Sequence, residues 1–198
     1  MDVNILLFPD FETLDAFGPV EVLGHVSDYV PRYVSPGGGI VHSRQKLPVM
    51  TEALGDADTN GILLVPGGQG TRLLVTDPEF IKMLGNAAER SAFCLTVCTG
   101  SALLARTSLL NGRRATSNKR AFDWVRGLNS AVHWAEHARW VSDGKYYTSS
   151  GVSAGMDMAL GFIADQFGTR RAQDIARHIE YIWNSDQTAD PFSQVKKV

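Results

Sequence analysis

Cys98 is the residue of this chain best placed for chemistry, because a short apolar run gives way there to small residues. Residues 92–97 are typical of a buried strand, and residues 99–102 are typical of a helix start. A sharp strand-to-helix turn would hold the thiol beside the free amides of a helix N-terminus. Since these amides favour an anion, the pattern predicts a lowered thiol pKa and a nucleophilic thiolate. The alternative is a buried inert cysteine, which is common.

A second candidate group consists of Glu12 and Asp15, which follow the apolar run at residues 3–8. The glycine-rich segment 66–70 follows another such run. Because ligands bind at the carboxyl ends of parallel strands, we expect both segments to lie near Cys98. A carboxylate there can act as a general acid and base with a raised pKa, and glycine amides can donate to an oxyanion. The simpler alternatives are helix capping by Asp15 and an ordinary glycine turn.

The other cysteine, Cys94, falls inside the predicted strand and is expected to belong to the core. Four extended residues place the Cα atoms of Cys94 and Cys98 about 13 Å apart, whereas a disulfide spans at most about 7 Å. We therefore expect both thiols to be free.

The segment 133–137 matches the zinc-binding pattern H-x-x-E-H. That pattern needs a helix to bring its two histidines onto one face. Apolar and polar residues alternate here instead, which predicts a strand that holds His133 and His137 roughly 13 Å apart. We therefore expect no metal site in this segment.

The elements that must position the candidate groups alternate along the chain. Apolar runs at 3–8, 61–65 and 92–97 are predicted strands buried on both faces. The predicted helices cover residues 14–26, 78–90, 99–104, 120–126, 154–167 and 170–183, with Gly168 as a cap between the last two. Residues 132–149 predict a hairpin, and the polar residues 185–198 predict a surface tail. Strands alternating with helices predict an α/β fold with a parallel sheet between helix layers.

Length and composition exclude several classes of protein. The chain has 198 residues, 44% of them hydrophobic and 20% charged, as in one ordinary globular domain. Its 19 Lys and Arg against 21 Asp and Glu leave no electrostatic footprint for nucleic acid, and we expect Lys119 and Arg120 to be solvated. No apolar run approaches the ~20 residues of a membrane span, and no basic region opens a secretory signal. We therefore expect a cytoplasmic protein without a membrane partner.

In combination, these motifs resemble the ThiJ/PfpI superfamily. The resemblance is carried by Leu14-Asp15 with Gly18-Pro19, Pro66-Gly67-Gly68, Val97-Cys98-Thr99-Gly100-Ser101, Arg113-Arg114-Ala115-Thr116 and Ser150-Gly151-Val152-Ser153-Ala154-Gly155-Met156-Asp157. It implies a flavodoxin-like three-layer α/β/α sandwich of the class I glutamine-amidotransferase type, with a mostly parallel sheet. It also implies one domain at residues 1–192, a tail at 193–198, a homodimer, and a small-molecule substrate.

Within the superfamily, the chain looks most similar to the isonitrile hydratases, which add water to isocyanides and release N-substituted formamides. The resemblance implies that Cys98 is the nucleophile and that Asp15 binds and protonates the intermediate, without a metal or an organic cofactor. Glu12 and Asn118 are secondary candidates, and Phe17 with Trp or Tyr side chains is expected to line an apolar pocket. The resemblance implies oxyanion or ligand donors at the backbone amides of Gly68, Gly70 and Thr99.

The sequence departs from many members at Asn118, where a histidine often lies near the cysteine. This departure argues against a Cys-His amidase more than against a hydratase, because a carboxylate can transfer the protons there. A glyoxalase or deglycase, an amidase, and a redox sensor whose Cys98 oxidises to a sulfinic acid stay open as alternatives. The sensor would be related to the amidase-like domains of AraC-type transcription regulators. Because the chain stops before any helix-turn-helix pair, we expect the free-standing form.

Overall fold

A computed structural model describes residues 1–194 of the chain as a large sheet flanked by helices. Its strands are β1 Asp2–Leu6, β2 Val30–Ser35, β3 Gly39–His42, β4 Pro48–Ala53, β5 Ile62–Val65, β6 Phe93–Thr96, β7 Arg114–Ala115, β8 His133–Trp134, β9 Trp140–Asp143 and β10 Tyr146–Ser149. Its α-helices are α1 Thr13–Leu23, α2 Thr71–Leu74, α3 Pro78–Arg90, α4 Gly100–Arg106, α5 Phe122–Leu128, α6 Ala154–Phe167 and α7 Thr169–His178. A short 3₁₀ helix covers Leu54–Asp56.

The main sheet has eight strands in the order β3-β4-β2-β1-β5-β6-β10-β9. The pairs from β4 through β10 are parallel, and only the edge strands β3 and β9 pair antiparallel with their neighbours. This arrangement confirms the predicted flavodoxin-like α/β fold with a mostly parallel sheet. It also confirms the predicted hairpin, whose strands are β9 and β10.

The central strands follow the predictions because they are buried on both faces. All residues of β5 are buried, and so are the last four residues of β1. Strands β2, β3 and β4 lie toward one edge and expose two or three residues each, so they show no continuous apolar run and were not predicted.

Two helices have the predicted bounds because their ends carry clear signals. Before α3, Asp77 accepts hydrogen bonds from the amides of Glu79 and Phe80, with Pro78 in the first turn. Helix α6 ends at Phe167, and the φ of 87° at Gly168 suits a glycine after a helix. Across residues 1–194, no helix combines the length and apolar character that a bilayer crossing needs.

Several regions differ from the predictions, among them the predicted helix 170–183, which ends at His178. Lys119 is buried, because its ammonium turns inward and donates to Thr116 Oγ1 at 2.8 Å and to the Ala138 carbonyl at 2.6 Å. Burial lowers its pKa to about 8. The predicted surface tail packs on the domain as far as it is described, and Asp190 within it is only 4% exposed because it pairs with Arg139. Residues 195–198 of that tail lie outside the described residues.

The segment 133–137 is not helical. His133 lies in the short strand β8, which pairs with β7, and His137 lies in the turn that follows. The predicted strand is therefore confirmed at its start, and the zinc pattern lacks the helix that its ligand geometry needs. Within residues 1–194, no three or more His, Cys, Asp or Glu side chains group closely enough to hold a metal ion.

Candidate active site

Cys98 occupies a strained turn between β6 and α4, with a positive φ of 57° that non-glycine residues rarely adopt. The surrounding hydrogen bonds fix that conformation. The amide of Cys98 donates to the Ser150 carbonyl at 3.0 Å. Its carbonyl accepts from the hydroxyls of Ser117 at 2.9 Å and Ser101 at 3.1 Å. The turn leaves Cys98 7% exposed at the carboxyl edge of the sheet.

Asp15 lies in the first turn of α1, which follows β1, and its side chain is completely buried. Its Oδ2 atom accepts the amide of Gly67 at 3.0 Å, and its carboxylate also hydrogen-bonds the Cys98 thiol. Its Oδ1 atom has no hydrogen-bond partner among the described residues. The structure therefore brings the candidate acid and the candidate nucleophile into direct contact.

The contact sets the protonation of both groups. Burial raises the pKa of Asp15 to about 7, helped by the charge of Glu12 and opposed by hydrogen bonds from Gly67 and Cys98. Burial, and then the Asp15 charge, raise the pKa of Cys98 well above its ordinary value. The predicted lowering of the thiol pKa is therefore wrong, because desolvation and a neighbouring carboxylate outweigh the favourable amides. Above pH 7 the resting pair is a thiol that donates to a carboxylate.

Three donors nevertheless point at the Cys98 sulfur. They are the backbone amides of Thr99 and Val152 and the side chain of Asn118, and each lowers the pKa of the thiol. Val152 was missed by the sequence reasoning because its contribution is a backbone amide, set by a positive φ of 40°. The only signal for it was its place in the 150–157 motif.

The glycine loop contributes through Gly67 rather than through the predicted amides. The amide of Gly68 donates to Thr99 Oγ1 at 3.1 Å, and the amide of Gly70 donates to the Asp10 carbonyl at 3.2 Å. Both amides are therefore engaged inside the protein. A Cβ atom at Gly67 would lie 2.6 Å from the Thr99 amide nitrogen and 2.9 Å from Asp15 Oδ2, so only glycine fits there.

Glu12 and Phe17 lie close to the site without forming its centre. Glu12 accepts a hydrogen bond from Gln45 Nε2 at 2.6 Å and acts on Asp15 through its charge. The ring of Phe17 packs against Phe11 and Tyr33, with centroids 6.4 Å and 5.7 Å away. It does not line the cavity next to Cys98.

A cavity of about 240 Å³ is lined by Asn118 and Val152 but not by Cys98 itself. Both residues hydrogen-bond the sulfur and also line the cavity. The remaining lining residues are Lys119, Arg120, Ser150, Gly151, Ser153 and Phe192. A larger cavity of about 430 Å³ lies between α3 and the end of α4 and contains none of the candidate groups.

This arrangement suits addition of a thiol to a small electrophile. The carboxylate can take the thiol proton as the sulfur attacks, and then deliver the same proton to the adduct. The donors at the sulfur stabilise the thiolate that forms in between.

Comparison with known proteins finds relatives that match most of this chain. It is 30% identical to isonitrile hydratase from Pseudomonas putida over 182 residues, covering 91% of this chain and 78% of the relative. It is 28% identical to the HTH-type transcriptional regulator CdhR from Pseudomonas aeruginosa over 181 residues, covering 88% of this chain and 53% of CdhR.

Solved structures agree on the fold. A ThiJ/PfpI family protein from Pseudomonas syringae superposes with a TM-score of 0.84 at 26% identity, covering 98% of this chain and 78% of that chain. An AraC family transcriptional regulator from Pseudomonas putida superposes with a TM-score of 0.77 at 18% identity, covering 90% of this chain and 98% of that chain. The sequence model of the DJ-1/PfpI family matches residues 1–165. The chain therefore belongs to the DJ-1/PfpI family.

Proposed function

We propose that this protein is a cofactor-free hydratase that converts isocyanides into N-substituted formamides through a covalent Cys98 adduct. The observation that supports it most is the hydrogen bond between the buried Asp15 carboxylate and the Cys98 thiol. The identity of 30% to an isonitrile hydratase favours the same reaction class.

In the first step, Asp15 takes the thiol proton while the Cys98 sulfur bonds to the terminal carbon of the isocyanide. The protonated carboxyl then gives that proton to the same carbon, which yields a thioimidate. A carboxyl with a pKa of about 7 suits both transfers, because it accepts and donates protons at nearly equal cost near neutral pH.

In the second step, water adds to the thioimidate carbon, with Asp15 accepting a proton from the water and donating it to the nitrogen. The resulting tetrahedral adduct loses its hydroxyl proton to Asp15 as the carbon–sulfur bond breaks. The formamide leaves, and the proton returns to the thiolate. Amides of Thr99 and Val152 and the side chain of Asn118 stabilise the departing sulfur.

The test is steady-state formation of the formamide from an aryl isocyanide by the wild-type protein and two cysteine variants. We expect Cys98→Ala to abolish turnover. Cys94→Ala should keep most of it, because Cys94 is buried inside β6 and its pKa is raised to about 12. Absence of turnover in the wild-type protein would contradict the proposal.

A second candidate function is a sensor that binds a ligand or an oxidant without turnover, which the similarity to CdhR favours. Oxidation to a sulfinic acid proceeds from the thiolate, so the raised pKa of Cys98 makes this candidate the weaker one. Peroxide treatment followed by mass analysis distinguishes the two. Fast oxidation of Cys98 in a protein that turns over no isocyanide would favour the sensor.

A further inference from the structure

The chain beyond α7 forms a fixed strap, which we define as residues 184–194 and call the C-terminal strap. At its start, the amide of Asn184 donates to Asp157 Oδ1 at 3.0 Å. In its middle, the carbonyl of Gln187 accepts the amide of Arg139 at 2.8 Å. Further on, the amide of Asp190 donates to the His137 carbonyl at 2.8 Å. These three attachments hold an otherwise polar segment against the domain.

Asp190 is the innermost of these attachments. Its side chain is buried, and its Oδ1 atom lies 3.6 Å from Arg139, which also pairs with the buried Asp157. The same Oδ1 atom accepts the amide of Phe192 at 2.9 Å. A carboxylate that accepts the amide two residues later forms a local turn, so Asp190 fixes the direction of the chain at Phe192.

That turn places Phe192 on the cavity beside the nucleophile. Phe192 lines the cavity together with Asn118, Gly151 and Val152. Two of these residues, Asn118 and Val152, also donate hydrogen bonds to the Cys98 sulfur, so the cavity is separated from the reacting atom by these two residues.

We propose that Phe192 is a specificity-determining residue whose ring forms the outer wall of the pocket for the isocyanide substituent. This inference rests on the proposed function. The ring is 54% exposed, and an apolar substituent in the cavity would cover part of it. The ammonium of Lys119 points away toward the Ala138 carbonyl, which leaves a mostly apolar lining.

The volume of the cavity limits the substituent. Pockets for drug-sized ligands begin at about 300 Å³. At about 240 Å³, this cavity is smaller than such pockets, so the size of the substituent should affect binding, and cyclohexyl and adamantyl groups form a pair that tests it. Phe192 sets that limit because it is the large apolar side chain among the lining residues.

The first experiment compares kcat/KM for cyclohexyl and adamantyl isocyanide. We expect Phe192→Ala to shift the ratio about tenfold toward adamantyl, mainly by raising KM for the cyclohexyl compound, and Phe192→Trp to shift it the other way. Ile182→Ala, at a side chain 93% exposed just before the strap, is the control and should leave the ratio unchanged. Ratios within about twofold of wild type in both Phe192 variants would overturn the inference.

The second experiment does not depend on turnover. It compares the rates at which iodoacetamide and the bulkier N-phenylmaleimide modify Cys98, followed by mass analysis with Cys94 as the internal reference. We expect Phe192→Ala to increase the rate at which the maleimide modifies Cys98, relative to the rate with iodoacetamide, about fivefold or more. An unchanged rate ratio would overturn the wall assignment. If the wild-type protein hydrates no isocyanide, the proposed function fails, and this rate ratio still decides the position of Phe192.

Discussion

Asp15 and Cys98 share a hydrogen bond and shift each other's pKa in opposite directions. The hydrogen bond lowers the pKa of the carboxyl, whereas the carboxylate charge raises the pKa of the thiol. Both effects stabilise the state in which the thiol is protonated and the carboxylate is charged. The proton therefore stays on the Cys98 sulfur until the thiol reacts with a substrate. The protonation state of Asp15 should then set the pH dependence of the rate.

The first prediction concerns the acid limb of catalysis. Asp15 must be a carboxylate to accept the thiol proton, so kcat/KM for isocyanide hydration should rise with pH through about 7 and then level off. Because the charge of Glu12 raises the pKa of Asp15, Glu12→Gln should move this limb to lower pH. Rates measured across the pH range in both proteins test it. An acid limb that stays in place in Glu12→Gln would contradict the assignment to Asp15.

The second prediction concerns the reactivity of the thiol. Asp15→Asn removes the charge that raises the pKa of Cys98, so iodoacetamide should modify Cys98 about tenfold faster at pH 8 in this variant. The same variant should lose isocyanide hydration, because it has no carboxylate to carry protons. An alkylation profile identical to that of wild type would show that the charge of Asp15 does not control the thiol.

The third prediction concerns stability. The pKa of Asp15 rises from 3.8 to about 7 on folding, so its contribution to stability is full below pH 3.8 and is lost as pH rises through 7. Asp15→Asn should therefore unfold at higher denaturant at pH 8, with a free energy of unfolding larger by on the order of 2 to 4 kcal/mol. The gain should vanish near pH 4.

Chemical denaturation at both pH values measures this gain. Asp28→Asn, at an exposed carboxylate, is the control and should change the free energy of unfolding by less than about 0.5 kcal/mol at either pH. A variant Asp15→Asn that is less stable than wild type at pH 8 would mean that the buried carboxylate stabilises the fold.

The fourth prediction concerns the glycine loop. A methyl group at Gly67 would meet both the Thr99 amide and the Asp15 carboxylate, so Gly67→Ala should lower kcat/KM by at least about tenfold. Gly127→Ala, on α5 with no atom within 4 Å of the added carbon, is the matched control. Equal activity in the two variants, with circular dichroism confirming that both fold, would contradict the close packing at Gly67.

The sequence predicts those features of the structure that are determined by neighbouring residues. Apolar runs and helix ends predict the central strands, α3 and α6, because burial on both faces and capping require particular residue types at neighbouring positions. The proximity of Asp15 and Cys98 can be predicted because each residue follows a parallel strand, and the carboxyl ends of parallel strands lie at the same edge of the sheet. The roles of the Val152 amide and of Phe192 cannot be predicted in this way. The first depends on backbone geometry, and the second depends on the attachments of the C-terminal strap.

The thiol pKa shows a different limit. The local pattern at Cys98 predicts an anion site, and the amides are present. The sign of the net shift depends on how deeply the fold buries the sulfur and on the carboxylate from α1. Neither quantity is visible in the residues next to Cys98, so the local pattern leads to the wrong direction.

The central claim is that the Cys98 sulfur bonds to the isocyanide carbon during turnover. The most direct measurement mixes stoichiometric isocyanide with the protein, quenches within the first turnover and weighs the peptides by mass spectrometry. We predict that the peptide segment carrying Cys98 gains the mass of one isocyanide, and that Cys98→Ala shows neither this gain nor any formamide. Formamide produced at the wild-type rate by Cys98→Ala would contradict the account.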